Sequence, residues 1–144
     1  MARVRRRATP LSAALCDFGV FKRINDRFGH TVGGAMLKRF AAILRERCRV
    51  TDLVARYGGE EFCIAFLETS AALAARSCEA LREAIAAHDW AGLREGLREG
   101  LVVTLSIGVA DTLTSIERLL ADADTQLYRA KHDGKNRVRW AVAE

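Results

Sequence analysis

Apolar and polar positions alternate along this chain in two rhythms. Leu11 to Phe18 is a short apolar run that stops at Asp17-Phe18-Gly19, which suits a buried strand ending in a turn. Phe21, Ile24 and Phe28 then fall at i, i+3 and i+7, the stripe of a short helix, and Gly29 ends it. A longer helix is expected from about Val32 to Arg47, with Met36, Leu37, Phe40, Ile43 and Leu44 on its buried face. Leu53 to Tyr57 and Glu61 to Phe66, joined across Gly58-Gly59, read as a β-hairpin. Residues 71–87, alanine-rich with Leu73, Leu81 and Ile85, predict a second long helix. The repeated Leu-Arg-Glu-Gly over 93–100 fits a loop or a frayed helical turn. Beyond it the pattern predicts a strand from Leu101 to Ala110, a helix over 115–131, and a closing strand from Asn136 to Val142 after Gly134. Strands alternating with helices, with a hairpin among them, imply an α/β or α+β sandwich built on a mixed sheet.

Composition narrows the class. With 144 residues, 50% of them hydrophobic, the chain suits one domain with one core. Charged residues interrupt every long apolar run before it reaches the roughly 20 residues of a membrane span. The first residues are basic but lack the apolar centre and cleavage site of a secretory signal, so a cytoplasmic location is expected. The parent protein is free to be attached to a membrane. Four of the five net positive charges come from Arg3, Arg5, Arg6 and Arg7, and a remainder so nearly balanced argues against a nucleic-acid partner. Residues 1–10 read as the basic end of an upstream linker or helix. The cysteines, at 16, 48, 63 and 78, have neither Cys-x-x-Cys spacing nor histidine partners, and read as reduced core thiols.

Acidic groups at strand ends are the first candidates for chemistry, because a nucleoside triphosphate needs Mg2+ and Mg2+ takes oxygen ligands. Asp17 closes the first strand. Glu60 and Glu61 sit at a hairpin whose glycines let backbone approach a ligand. If the two strands are neighbours, these carboxylates converge. The plainer alternative makes Asp17 a turn cap and the glutamates exposed hairpin charges.

The segment Val54-Ala55-Arg56-Tyr57-Gly58-Gly59-Glu60-Glu61-Phe62 resembles the signature of GGDEF-domain diguanylate cyclases. Further blocks match in order: Phe21 to Asp26 with Phe28-Gly29-His30, Leu105 to Ala110, and Ala123 to Val138 with Leu127-Tyr128-Arg129-Ala130-Lys131. The resemblance implies a central mixed five-stranded sheet flanked by helices, a nucleotide-cyclase-like arrangement with a ferredoxin-like core. Residues 11–144 would be the domain without its usual N-terminal helix. It further implies that Asp17, Glu60 and the main-chain carbonyl of Phe18 hold Mg2+ or Mn2+, with Glu61 a second carboxylate close by. Phe18, Phe21, Asn25, His30 and Gly34 would border the nucleotide, Asn25 and His30 facing guanine. Lys131 and Lys135, four apart and on one face if the helix continues, would meet triphosphate oxygens.

The implied reaction condenses two GTP into cyclic di-GMP and pyrophosphate across a homodimer, arranged by an upstream sensory or regulatory domain. Arg49-Val50-Thr51-Asp52, separated by five residues from Gly58, resembles the family's Arg-x-x-Asp inhibitory site for cyclic di-GMP. Its chemistry suits that ligand: Arg49 forks onto a phosphate or a guanine Hoogsteen edge, and Asp52 accepts from guanine N1 and N2 hydrogens. The alternative is a loop salt bridge.

Two positions depart from the pattern. Gly19 stands where the family commonly has a second aspartate, and Gly34 where an aspartate accepts hydrogen bonds from guanine. By analogy with base readout, losing such an acceptor costs about 1–3 kcal/mol. A working cyclase is the favoured expectation. The alternatives are a catalytically inactive domain that serves as a cyclic di-GMP receptor, and a cyclase with relaxed purine specificity.

Overall fold

The computed structural model describes residues 9–19, 21–93 and 103–141. The basic residues 3–7, the repeat over 94–100, and Leu101, Val102 and Val142 of the expected strands lie outside that set. The elements in chain order are β1 (Leu11–Asp17), α1 (Phe21–Phe28), α2 (His30–Arg47), β2 (Leu53–Arg56), β3 (Glu61–Phe66), α3 (Ala71–Ala87), β4 (Ser106–Thr112), α4 (Ile116–His132) and β5 (Val138–Ala141), with a short 3-10 turn at Trp90–Leu93. The five strands form one mixed sheet in the order β2-β3-β1-β4-β5. Its first four strands run antiparallel to their neighbours, and β4 and β5 are parallel, as a connection through α4 allows.

Strand alternation assigns the two faces. Ala14 and Cys16 of β1, with Phe62, Ile64 and Phe66 of β3, join Met36, Phe40 and Leu44 of α2 and Cys78, Leu81 and Ile85 of α3 in the larger core. Ala13 and Leu15 face the other way and meet Leu119, Ala123 and Leu127 of α4. Within the larger core Phe18 stacks on Phe40 at 4.5 Å and Phe40 meets Phe62 at 4.9 Å. These rings tie the end of β1 to the start of β3, the two places where the candidate carboxylates stand. On the opposite face Gly108 lets α4 lie against β4: a Cβ there would fall 2.0 Å from Leu127 N and 2.3 Å from Ala123 O.

Several boundaries differ from the expectation for identifiable reasons. Helix α2 begins at His30 rather than near Val32, because Gly29 at φ 89° supplies the whole break after α1. Strand β4 is set by its partner: its register with β1 runs from Leu11↔Thr112 to Asp17↔Ser106, so Val103 and Leu105 are buried outside the ladder. Strand β5 starts at Val138 because Asn136, at φ 47°, cannot extend it. Leu73 of α3 is exposed, whereas Leu81 and Ile85 are buried. All four cysteines are free thiols, but only Cys16 and Cys78 are buried; Cys48 and Cys63 are half-buried. Burial pushes the Cys48 thiol up to about 11, away from reactive thiolate. Among the described residues no helix is long and apolar enough to cross a membrane.

Candidate active site

The antiparallel register of β1 and β3 sets Asp17 opposite Glu61, and the Phe18 N–H donates to Glu60 O at 3.0 Å. The convergence that the sequence left conditional is therefore built into the sheet. Lys131, in the last turn of α4, pairs with Asp17 Oδ2 and lies 4.0 Å from Glu61 Oε1. The Asp17 side chain is 5% exposed, so its charge is held in a partly desolvated place with one cation beside it. Phe18 itself turns its ring into the core, leaving only its backbone to border the site. Phe21 opens α1, and its side chain lies outside the described residues.

Glu60 is the most perturbed group here. Its Oε2 is buried with no hydrogen-bond partner among the described residues. Burial, followed by the Asp17 charge, raises its carboxyl pKa; the Lys22 backbone N–H and Lys131 pull the other way. A cavity of about 400 Å3 is lined by Lys22, Asn25, Gly59, Glu60 and Glu61. Asn25 contributes a second orphan: its amide nitrogen donates to His30 Nδ1 at 2.8 Å, while its Oδ1 is buried without a partner. Glu60 and Asn25, two residues lining one cavity, thus each carry a buried oxygen without a partner among the described residues. Gly34, on α2, has open space around it, for a Cβ there would meet nothing within 4 Å. At Gly19 a Cβ would meet only Asp17 Oδ1, at 3.9 Å.

The hairpin is shaped differently from a two-residue glycine turn. Tyr57 N–H and Gly58 N–H both donate to Glu61 O, at 2.8 and 3.2 Å. Neither Gly58 nor Gly59 has a positive φ, so their use lies in the room left by absent side chains. Arg56 holds the loop from outside, donating from Nε to Gly58 O at 3.1 Å and from Nη2 to Gly59 O at 2.7 Å. Sequence reasoning missed this role of Arg56, and that of Lys22, because neither a backbone contact nor a cavity wall leaves a composition signal.

Lys135 corrects the expectation of a shared helical face. Helix α4 ends at His132, and Lys135 sits beyond it at φ 63°. Among the described residues no ion pair joins Lys135 to the carboxylates.

Arg49 and Asp52 form a separate cluster on the loop between α2 and β2. Asp52 accepts from Arg49 N at 2.8 Å and from Nη2 at 3.1 Å. The same Nη2 donates to Thr69 Oγ1 at 2.7 Å. The salt bridge weighed as the plain alternative is present, and the Arg49 side chain remains 58% exposed.

Among the described residues no group of three or more His, Cys, Asp or Glu side chains forms a ready cage for a metal ion. The donors at Asp17, Glu60 and Glu61 are nevertheless hard oxygens, with one orphaned and one balanced only by a lysine. That set fits Mg2+, which is commonly held by one or two carboxylates plus substrate phosphates.

Comparison with known proteins identifies the family and the fold. The family model described as diguanylate cyclase, GGDEF domain, matches residues 1–137. The response regulator PleD of Caulobacter vibrioides is 42% identical over 132 residues, 90% of this chain and 29% of that protein. Diguanylate cyclase DosC of Escherichia coli is 36% identical over 140 residues, 96% of this chain and 30% of that protein. The chain thus spans about 30% of the length of these relatives. Among solved structures, the active GGEEF domain of a diguanylate cyclase from Vibrio cholerae superposes with a TM-score of 0.83 at 29% identity, covering 94% of this chain and 85% of that one. The GGDEF domain of DgcB from Caulobacter crescentus, in complex with c-di-GMP, gives 0.81 at 29% identity, covering 92% and 78%.

Proposed function

Because this chain belongs to the GGDEF-domain family of diguanylate cyclases, we propose that its cavity binds GTP with Mg2+ or Mn2+ and that two such domains condense two GTP into cyclic di-GMP. The observation that supports this reading is that Asp17, Glu60 and Glu61 converge at one end of the sheet, beside a cavity lined by Asn25, Glu60 and Glu61. The carboxylates suit a cation, and Asn25 suits a hydrogen-bond donor such as guanine presents.

Asp17 and Glu60, with the Phe18 carbonyl, are the residues to hold the metal, and Glu61 adds a carboxylate beside them. When bound, the ion supplies Lewis acidity that favours ionisation of a ribose 3′-hydroxyl and offsets charge on the transferring phosphoryl group. The chain's own residues do the positioning. Asn25, oriented by His30, accepts from guanine. Lys131 exchanges its carboxylate partners for triphosphate oxygens, as a flexible ammonium can, and Lys135 joins it from the turn beyond α4.

Each 3′-hydroxyl attacks the α-phosphate of the opposite GTP and pyrophosphate leaves, so each domain supplies half of the reacting pair. A homodimer follows from that stoichiometry, arranged by a regulatory domain in the parent protein. Arg49 and Asp52 are assigned to the product as an inhibitory site. Arg49 already contacts Asp52 and Thr69 through Nε and Nη2, which orients its exposed side chain for the product. The open space at Gly34 also favours a second reading, in which guanine is less strictly selected over adenine than an aspartate there would enforce.

Calorimetric titration of cyclic di-GMP and of a nonhydrolysable GTP analogue with Mg2+, on wild type and Arg49→Ala, tests the assignment. Metal-dependent analogue binding in both proteins, with product binding lost in the variant, is expected. Product binding alone, lost in Arg49→Ala, would make the domain a receptor instead of an enzyme.

A further inference from the structure

The turn that carries Lys135 is held by a contact from a distant helix. Gly134, Lys135 and Asn136 lie at φ 126°, 63° and 47°, three consecutive residues with positive φ. For residues with a side chain such angles are strained and persist only where the surroundings impose them. Some of the restraint is local. Lys135 N–H donates to Ala130 O at 2.9 Å, Arg137 Nε donates to Lys135 O at 3.0 Å, and Arg137 O accepts from Ile107 N–H at 3.0 Å.

Besides the Ile107 contact from β4, a further restraint comes from a helix. Arg82 of α3 donates from Nη1 to Asn136 Oδ1 at 2.8 Å, across 54 residues of sequence. Its remaining donors are fixed on its own helix: Nε lies 3.0 and 3.1 Å from the two carboxylate oxygens of Glu79, and Nη2 pairs with Glu79 Oε1. The Arg82 side chain is only 18% exposed. A guanidinium gripped by both oxygens of a carboxylate is a stationary donor, unlike a solvated surface arginine. Asn136, for its part, is a residue type that tolerates the left-handed region and offers an acceptor there.

We propose that Arg82, fixed by Glu79, is a positioning residue for the nucleotide: through Asn136 it holds the turn at 134–136 in the shape that presents Lys135 to triphosphate oxygens. The proposal rests on the reading of Lys135 as a phosphate contact. Without the strut, residues 135 and 136 relax toward negative φ, and ordering the lysine at each binding event opposes binding. Losing one hydrogen bond from a charged donor weakens triphosphate binding by roughly tenfold. Neither the carboxylates nor the cavity wall touches Arg82, so recognition of the base is unaffected.

The test titrates guanosine 5′-(β,γ-imido)triphosphate and GMP, each with Mg2+, into wild type, Arg82→Ala, Asn136→Gly, the double variant and Lys135→Ala. Asn136→Gly keeps the left-handed backbone allowed while deleting the acceptor, which separates the hydrogen bond from backbone strain. The expected result is a roughly tenfold weaker triphosphate affinity in each single variant, and no further loss in the Arg82/Asn136 double variant. The GMP affinity should stay at the wild-type value. Additive losses in the double variant, or equal losses for GMP, overturn the proposal, since Arg82 would then act by another route or by general damage to the fold. An Arg82→Ala protein that binds like wild type while Lys135→Ala is weakened overturns it as well. If Lys135→Ala itself binds normally, the reading of Lys135 fails first, and the role of Arg82 falls with it.

Discussion

Replacing Glu60 by Gln should make the metal-free domain more stable while it abolishes turnover. Glu60 Oε2 is buried and unpaired among the described residues, beside the charge of Asp17. Gln keeps a polar atom at that place but removes the charge, whose desolvation and repulsion by Asp17 oppose folding. Glu60 is only half-buried, and the Lys22 N–H and Lys131 offset part of the charge penalty, so about 1 kcal/mol remains for the neutral amide to recover. In a domain of this size that corresponds to a rise of about 3–5 °C in Tm. The sign with pH follows from the raised carboxyl pKa. Between the ordinary value of 4.5 and the raised folded value, the folded state binds more protons than the unfolded state, so stability falls as pH rises through that window. Above the raised folded value the penalty is fully present; well below 4.5 the carboxyl is protonated in both states and the penalty is gone. Thermal melts of wild type and Glu60→Gln in EDTA, at pH 7 and pH 4, check this. A variant that melts below wild type at pH 7, or an advantage equally large at pH 4, would refute the reasoning.

Three further outcomes follow from the same geometry. Lys131→Ala removes the cation beside Asp17; because Lys131 is 39% exposed, the loss should be about 1–2 kcal/mol in urea unfolding, together with weaker triphosphate binding. Wild-type stability in that variant would mean that the pair contributes nothing. Gly34→Asp adds a carboxylate where a Cβ meets no atom within 4 Å, so it should be tolerated and should raise the preference for a GTP over an ATP analogue by about tenfold or more in competition titrations. An unchanged ratio would remove Gly34 from the base-recognition site. Gly108→Ala places a methyl 2.0 Å from Leu127 N in helix backbone that cannot yield locally, so a loss above about 3 kcal/mol, or failure to accumulate folded protein, is expected from denaturation curves.

Most of the fold was legible because its helices and strands carry their own periodicity. The stripe at Phe21, Ile24 and Phe28 matched α1 residue for residue, and residues 71–87 matched α3. What periodicity cannot carry is a boundary set by a partner. Val103 to Leu105 look as strand-like as Ile107, yet β1 runs out at Asp17 and leaves them without a ladder. The same holds for Lys135, whose spacing from Lys131 implied one helix face until a Gly-Lys-Asn turn with positive φ intervened. In the site, Asp17 and Glu60 were legible as residue types at strand ends. Their convergence depended on β1 and β3 being neighbours, a long-range pairing that no local pattern encodes. The Arg56 clamp on two carbonyls and the Arg82 contact to Asn136 were illegible for the same reason, since both bind acceptors defined by the folded chain.

The two departures from the family pattern bear on ligand recognition more than on folding. Neither Gly19 nor Gly34 has a positive φ, and neither is crowded: a Cβ at Gly19 meets one atom at 3.9 Å and one at Gly34 meets none. Gly108 is the contrast, since backbone contact forbids any side chain there. Packing therefore accounts for one glycine and leaves the other two unconstrained. Their consequences fall instead on charge. With no carboxylate at 19, the acidic side chains gathered here are Asp17, Glu60 and Glu61, and Lys131 already neutralises part of that set. On the proposed function, a divalent ion would compete with Lys131 for Asp17, and a triphosphate would resolve the competition by giving the lysine a new partner. Metal and nucleotide should accordingly bind with positive coupling, each raising the affinity of the other by the same factor. Titrating Mg2+ with and without the GTP analogue measures that factor. In Lys131→Ala, where no lysine blocks the carboxylates, Mg2+ alone should bind more tightly and the coupling should shrink.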